Sequence, residues 1–207
     1  MTKVSGRLNR LAESATLAMA RMSRELQAKG INIIALSLGE PDFDTPEFIK
    51  EAAKKAIDDN FSHYTPVPGL PELRSSISAK FMRDNHLEYT PDQIVVSTGA
   101  KQSLANVCLS LLDPEDEVLL PCPYWVSYAE IIKLAEGVPV EIKSTIDSDF
   151  KITPNQLEAS ITSKTKMIMF SSPCNPSGTV YTKSELEAIA KMLEKYPNIY
   201  IVSDEIY

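Results

Sequence analysis

Four short segments combine residue types that bind or move charge, and each follows a β-rich run. Asp204, in Ser203-Asp204-Glu205-Ile206-Tyr207, is a carboxylate at the end of one such run. Burying it without a cation is costly, so it calls for a positive partner such as a protonated ring nitrogen. A metal carboxylate or a helix N-cap reads the same way, although the cluster lacks the histidines that a transition metal favours. Asn175-Pro176, inside the turn-rich segment Ser171–Gly178, is a candidate cis bond. It aims the Asn175 amide at a ligand oxygen, or it simply closes a loop. Trp125, the only tryptophan, follows Pro121-Cys122-Pro123-Tyr124. Its ring serves there as a stacking platform or as a packing residue at a helix start. Ser97-Thr98-Gly99-Ala100-Lys101-Gln102 places a glycine turn before a helix. N–H groups and the dipole at a helix start attract an anion such as phosphate, and Lys101 adds a cation; a plain turn has the same pattern.

The elements that must hold these segments alternate from residue 91 onward. Strands are expected at Gln93–Ser97, Glu117–Leu120, Val138–Ile142, Lys166–Ser171 and Asn198–Ser203, with helices at about 101–112, 124–136, 154–161 and 183–196. Thr182-Lys183-Ser184-Glu185 is a capping box for the last helix. Strands alternating with helices predict an α/β fold with a mostly parallel sheet covered on both faces, whose ligands bind beyond the carboxyl ends of the strands. Before residue 91 the pattern is helical. Leu8, Leu11, Ala15, Ala18, Met22 and Leu26 form one stripe that stops at Gly30, after which Ile31–Leu38 is a short apolar run. Pro46 is expected at the first position of a second helix with an apolar face of Phe48, Ile49, Ala52, Ala53 and Ile57, and Pro71 opens a third with Leu73, Ile77 and Phe81.

Composition narrows the function. The 207 residues are 43% hydrophobic and 24% charged, the balance of a globular domain rather than a disordered or low-complexity chain. A net charge of −7 argues against a nucleic-acid backbone as partner, while leaving room for a small anionic ligand. Three scattered cysteines, Cys108, Cys122 and Cys174, suit neither a disulfide framework nor a zinc site, and they suggest a reducing, cytoplasmic setting. No uncharged apolar run reaches the roughly 18–20 residues of a membrane span. Lys3, Arg7 and Arg10 before Leu11–Ala20 imitate a leader, but Glu13 interrupts the apolar part and the run continues as a patterned helix.

Taken together and in order, six segments resemble the class I, fold-type I pyridoxal-phosphate aminotransferases, in the branch that holds the bacterial aspartate aminotransferases. They are Ser37-Leu38-Gly39-Glu40-Pro41-Asp42-Phe43, Tyr64-Thr65-Pro66 through Gly69, Gly99-Ala100-Lys101-Gln102, Pro123-Tyr124-Trp125, Asn175-Pro176-Ser177-Gly178 and Asp204-Glu205-Ile206-Tyr207. The resemblance implies that Gly99, Ala100 and Lys101 meet the cofactor phosphate, that Trp125 stacks on the pyridine ring and that Asp204 pairs with its nitrogen. Asn175 and Tyr207 are implied to bond the ring's phenolic oxygen. Substrate contacts fall to Gly39, Trp125, Asn175 and Lys101, the last suiting a second carboxylate. Tyr64 is implied to reach the phosphate of the other subunit of a homodimer. The implied reaction moves an amino group between an amino acid, aspartate foremost, and a 2-oxo acid such as 2-oxoglutarate, without metal, nucleic acid or membrane.

The same resemblance implies residues that this chain does not contain. The family's Schiff-base lysine, the rest of its phosphate cup and the arginine for the substrate carboxylate all lie beyond the Asp-x-x-Tyr segment. The chain is therefore expected to be an N-terminal half, inactive alone, with residues 1–45 as part of a small domain and 46–207 as the first part of the large one. Alternatives are a prephenate or aromatic aminotransferase, another pyridoxal-phosphate reaction such as carbon–sulfur cleavage on the same fold, and a short non-catalytic chain that binds the cofactor or pairs with longer subunits.

Overall fold

The computed structural model describes residues 4–12, 15–34, 36 and 39–207. Lys3 and Glu13 of the leader-like stretch, Ala35 of the apolar run and Ser37 and Leu38 of the first motif lie outside the described residues. The chain divides into two compact units, Met1–Ala15 with Gly99–Tyr207, and Thr16–Thr98.

The first unit is an α/β sandwich. Its sheet holds β1 (Glu117–Pro121), β2 (Val138–Ile142), β3 (Thr165–Ser171) and β4 (Tyr200–Asp204), all parallel, in the order β2-β1-β3-β4. The connections run through α6 (Ser127–Leu134), α7 (Pro154–Ser160) and α8 (Lys183–Leu193), and α5 (Ala100–Leu111) precedes β1. Strand alternation decides which residue meets which layer. Val118, Leu120, Met167 and Met169 pack with Leu104 and Cys108 of α5 and Tyr128, Ile131 and Ile132 of α6. Leu119 and Ile168 point the other way, onto Leu157 of α7 and Met192 and Leu193 of α8. Each of these large side chains contributes about 1.5–3 kcal/mol by leaving water. Cys108 is fully buried, and that burial pushes its thiol up to about 11. The expected capping box closes α8: Thr182 accepts from the Glu185 N–H, and the Glu185 carboxylate accepts from the Thr182 N–H at 2.6 Å.

The single N-terminal helix expected from the Leu8–Leu26 stripe is two, α1 (Gly6–Asn9) and α2 (Ala15–Ala28). The break has a tertiary cause: the Ala12 N–H, needed to continue the helix, donates instead to the Glu130 carboxylate on α6 at 2.8 Å. Arg10 adds an ion pair to Glu136 at 2.9 Å.

The second unit is helical. It contains most of α2, α3 (Glu47–Asp58) and α4 (Pro71–Lys80), which runs on into a π-helical turn at Phe81–Asn85. Pro46 is the N-cap of α3 and not its first residue. The strand expected at Gln93–Ser97 is not one. Pro91–Gln93 is a 3-10 turn, and Ile94 is extended, but no strand among the described residues pairs with this segment to complete a ladder; the Val96 N–H bonds the Pro68 carbonyl at 2.9 Å. Gly69 sits against this segment at φ +104, and a Cβ there would lie 2.8 Å from Val96 Cγ2, so only glycine fits without movement. Arg74 ties α4 to the same segment through the Ile94 carbonyl and the Asp92 carboxylate, each at 3.0 Å.

Candidate active site

In-register pairing places the site. Ser171, the last residue of β3, lies beside Asp204, the last residue of β4. The carboxyl ends of β1, β3 and β4 therefore deliver Trp125, Asn175 and Asp204 to one end of the sheet, the end where parallel sheets bind ligands. There Ala100, Trp125, Tyr128, Ser171, Asn175, Asp204, Ile206 and Tyr207 line an open cavity of about 180 Å³. That is the scale of one substituted aromatic ring, since a cavity of roughly 150 Å³ holds benzene.

Of the sequence-predicted residues of the first unit, Ala100, Trp125, Asn175, Asp204 and Tyr207 line it, and Gly99 and Lys101 are the chain neighbours of Ala100. Gly99 is the N-cap of α5 at φ +82, and nothing stands within 4 Å of where its Cβ would be. The first N–H groups of a helix have no carbonyl one turn before them, so the start of α5 presents donors beside Ala100. Lys101 is exposed, and its Nζ stands 4.9 Å from the centre of the Trp125 ring. Trp125 is half-buried just before α6. Asn175 Nδ2 donates to the Tyr207 hydroxyl at 3.1 Å, and the Asn175–Pro176 bond is cis, as are Cys122–Pro123 and Ser172–Pro173, which the sequence reading did not single out. Gly39 and Tyr64 belong to the second unit, where both are exposed in loops.

Three lining residues were not singled out from the sequence: Ser171 and Ile206, which sit inside the quoted segments, and Tyr128. Tyr128 is 1% exposed and donates its phenolic O–H to Asp204 Oδ2 at 2.7 Å. Burial, followed by the bond to Asp204, raises its pKa, so the phenol keeps its proton. Ser171 is buried beside the same phenol and acts on it in the opposite sense, lowering the pKa. Tyr128 lies one helical turn past Trp125, so it reads as a core aromatic; the usable signal is that a buried tyrosine needs a partner for its hydroxyl.

The donor set fits the cofactor implied by the resemblance. An indole face suits a planar ring, a carboxylate suits its protonated nitrogen, an amide and a phenol suit its oxygen, and a helix start with a lysine suits a phosphate. Among the described residues no group of three His, Cys, Asp or Glu side chains could hold a metal, and no helix is long and apolar enough to cross a membrane.

Comparison with known proteins agrees with this geometry. The sequence model of the family Aminotransferase class I and II matches residues 31–207. The aspartate/prephenate aminotransferase of Cereibacter sphaeroides is 48% identical over 207 residues, covering all of this chain and 52% of that protein. That of Nitrosomonas europaea is 49% identical over 205 residues, covering 99% of this chain and 52% of its own length. The crystal structure of the Thermus thermophilus aspartate aminotransferase with maleate superimposes with a TM-score of 0.95 at 43% identity, over 100% of this chain and 54% of that one. The Rhizobium meliloti aspartate aminotransferase gives 0.95 at 39% identity, over 99% and 51%. The chain spans about half the length of the curated relatives it matches.

Proposed function

The chain belongs to the class I and II aminotransferases, and from that premise we propose that it carries the ring-binding side of a pyridoxal-phosphate transaminase site. The observation that carries this reading is the convergence of Ala100, Trp125, Asn175, Asp204 and Tyr207 on one ring-sized cavity at the carboxyl end of a parallel sheet. Pyridoxal phosphate, the cofactor of this family, supplies a ring that draws electrons from the substrate's α-carbon. Asp204 holds a proton on the ring nitrogen by its charge. Trp125 fixes the plane of the ring. Asn175 and Tyr207 donate to its phenolic oxygen. The start of α5, with Gly99, Ala100 and Lys101, holds the phosphate. Gly39 approaches the substrate carboxylate through its backbone, and Tyr64 serves the phosphate site of the other subunit in a homodimer. Residues 1–45 belong with a small domain and 46–207 with the large one, in a cytoplasmic enzyme.

Aspartate is the proposed donor and 2-oxoglutarate the acceptor, because the exposed Lys101 cation suits a second carboxylate. The relatives' names also print prephenate, a 2-oxo acid that likewise carries a second carboxylate, so it is the acceptor to try next. The test is made on the protein at its native length. Given aspartate and 2-oxoglutarate, it should form oxaloacetate and glutamate; no oxaloacetate with either acceptor overturns the assignment. Lys101→Ala should then reduce kcat/KM for dicarboxylic substrates more than for aromatic ones, and an equal loss removes Lys101 from substrate recognition.

A further inference from the structure

A carboxylate on its own turns easily about its last bond, whose torsional profile is broad. Asp204 is not left to do so. Its Oδ2 accepts the Tyr128 phenol at 2.7 Å, while Oδ1 has no side-chain partner among the described residues. The phenol in turn is held on every side. Tyr128 is 1% exposed, meets Trp125 edge-on with ring centres 5.6 Å apart, and lies nearly parallel to Tyr124 at 6.5 Å. Ser171, the in-register neighbour of Asp204, is buried beside the phenol. One helix thus places the indole at the cavity wall and, a turn later, the donor that orients the carboxylate.

We propose that Tyr128 is a positioning residue for Asp204: its own O–H, kept in place by the packing around the ring, fixes Oδ2 so that Oδ1 is the oxygen offered to a ring nitrogen in the cavity. The inference rests on the cofactor reading above. It assigns Tyr128 no contact with the reacting atoms. Its consequence is selective: the hydroxyl matters for a ring that has a protonated nitrogen and not for a ring of the same shape without one.

The experiment compares the dissociation constants of pyridoxal phosphate and its 1-deaza analogue, in which a C–H replaces the ring nitrogen. It uses the cofactor-free protein at native length. The unaltered protein should prefer pyridoxal phosphate, and Tyr128→Phe, which removes only the hydroxyl, should shrink that preference about tenfold, the scale of a hydrogen bond to a charged group. A variant that weakens both ligands alike and keeps the preference makes Tyr128 a packing residue and overturns the proposal. An unaltered protein that binds both ligands equally overturns the pairing of Asp204 with a ring nitrogen, and one that binds neither overturns the cofactor reading itself. If Tyr128→Phe does not fold, Tyr128→His, which keeps a ring N–H donor at the same place, carries the test, with a preference within about threefold of the unaltered protein's expected. A preference lost in that folded variant overturns the proposal.

Discussion

Helices α3 and α6 carry equally clear apolar stripes and meet opposite surroundings. On α6, Tyr128, Ala129, Ile131 and Ile132 are all buried. On α3 no residue is buried, and Phe48 and Ile57 are 75% and 77% exposed. The contrast extends to their units. The sandwich of β1–β4 buries a layer of side chains on each face, whereas among the described residues of Thr16–Thr98 only Ala20 and Ile94 are buried. The difference lies in the supply of partners. α6 leaves β1 and returns to β2, its neighbour in the sheet, so the crossover lays its stripe on the sheet. Among the described residues α3 lies between no two strands of the sheet. An apolar stripe states that a face is to be covered and does not say by what.

Hydrogen exchange on the 207-residue chain should show the contrast at its largest. Backbone amides in the middle of β1 and β3 open only with the whole unit, so they should exchange about a thousandfold or more slowly than those of α3. Equal protection would mean that α3 is covered in solution. The next effect is a pair of truncations followed by urea unfolding. Leu119→Ala should cost about 2–5 kcal/mol, and Ile57→Ala less than about 0.5 kcal/mol. Similar costs at the two sites would erase the difference between the units.

One close contact in the looser unit sharpens the comparison. Gly69→Ala combines a positive φ with a clash against Val96, and should cost about 1–3 kcal/mol. Val96→Ala in the same chain should recover part of it, and no recovery would leave backbone strain as the sole cause. A smaller effect than that of Gly69→Ala belongs to the sandwich. Thr182→Ala should cost about 1 kcal/mol by removing the cap of α8. Bonds to Thr182, first from its backbone N–H and then from its hydroxyl, hold the Glu185 carboxyl below its ordinary 4.5. A depressed carboxyl contributes stability that is present above that value and lost as the pH falls through the lowered one. Helix α8 should therefore loosen on acidification below about 4.5, and Glu185→Gln should flatten that pH response; an unchanged profile would remove Glu185 from it.

Much of the site was legible because its parts are punctuation. A glycine before a helix, a lone tryptophan after a strand, Asn-Pro in a turn cluster and an aspartate at a strand end stand out from periodic sequence, and each of the four segments brings a residue to one cavity, the first through Ala100. The strands β1–β4 were legible from short β-rich runs between helices. Three things were not. Tyr128 follows the helical pattern so well that its polar end is hidden in it. The break between α1 and α2 depends on Glu130, more than a hundred residues away, which no local pattern contains. Ile94–Ser97 has the composition of a strand, but pairing is a property of two segments and the second is not among the described residues.

Cys108 gives this fold a built-in clock. Its thiol, raised to about 11 and fully enclosed between α5 and the sheet, is ionised to only about one part in ten thousand at neutral pH. An alkylating reagent has to wait for α5 to lift, after which the freed thiol reverts to ordinary acidity. The speed at which Cys108 is labelled therefore counts the departures of one helix from the sheet, without a reporter group having to be engineered into the chain.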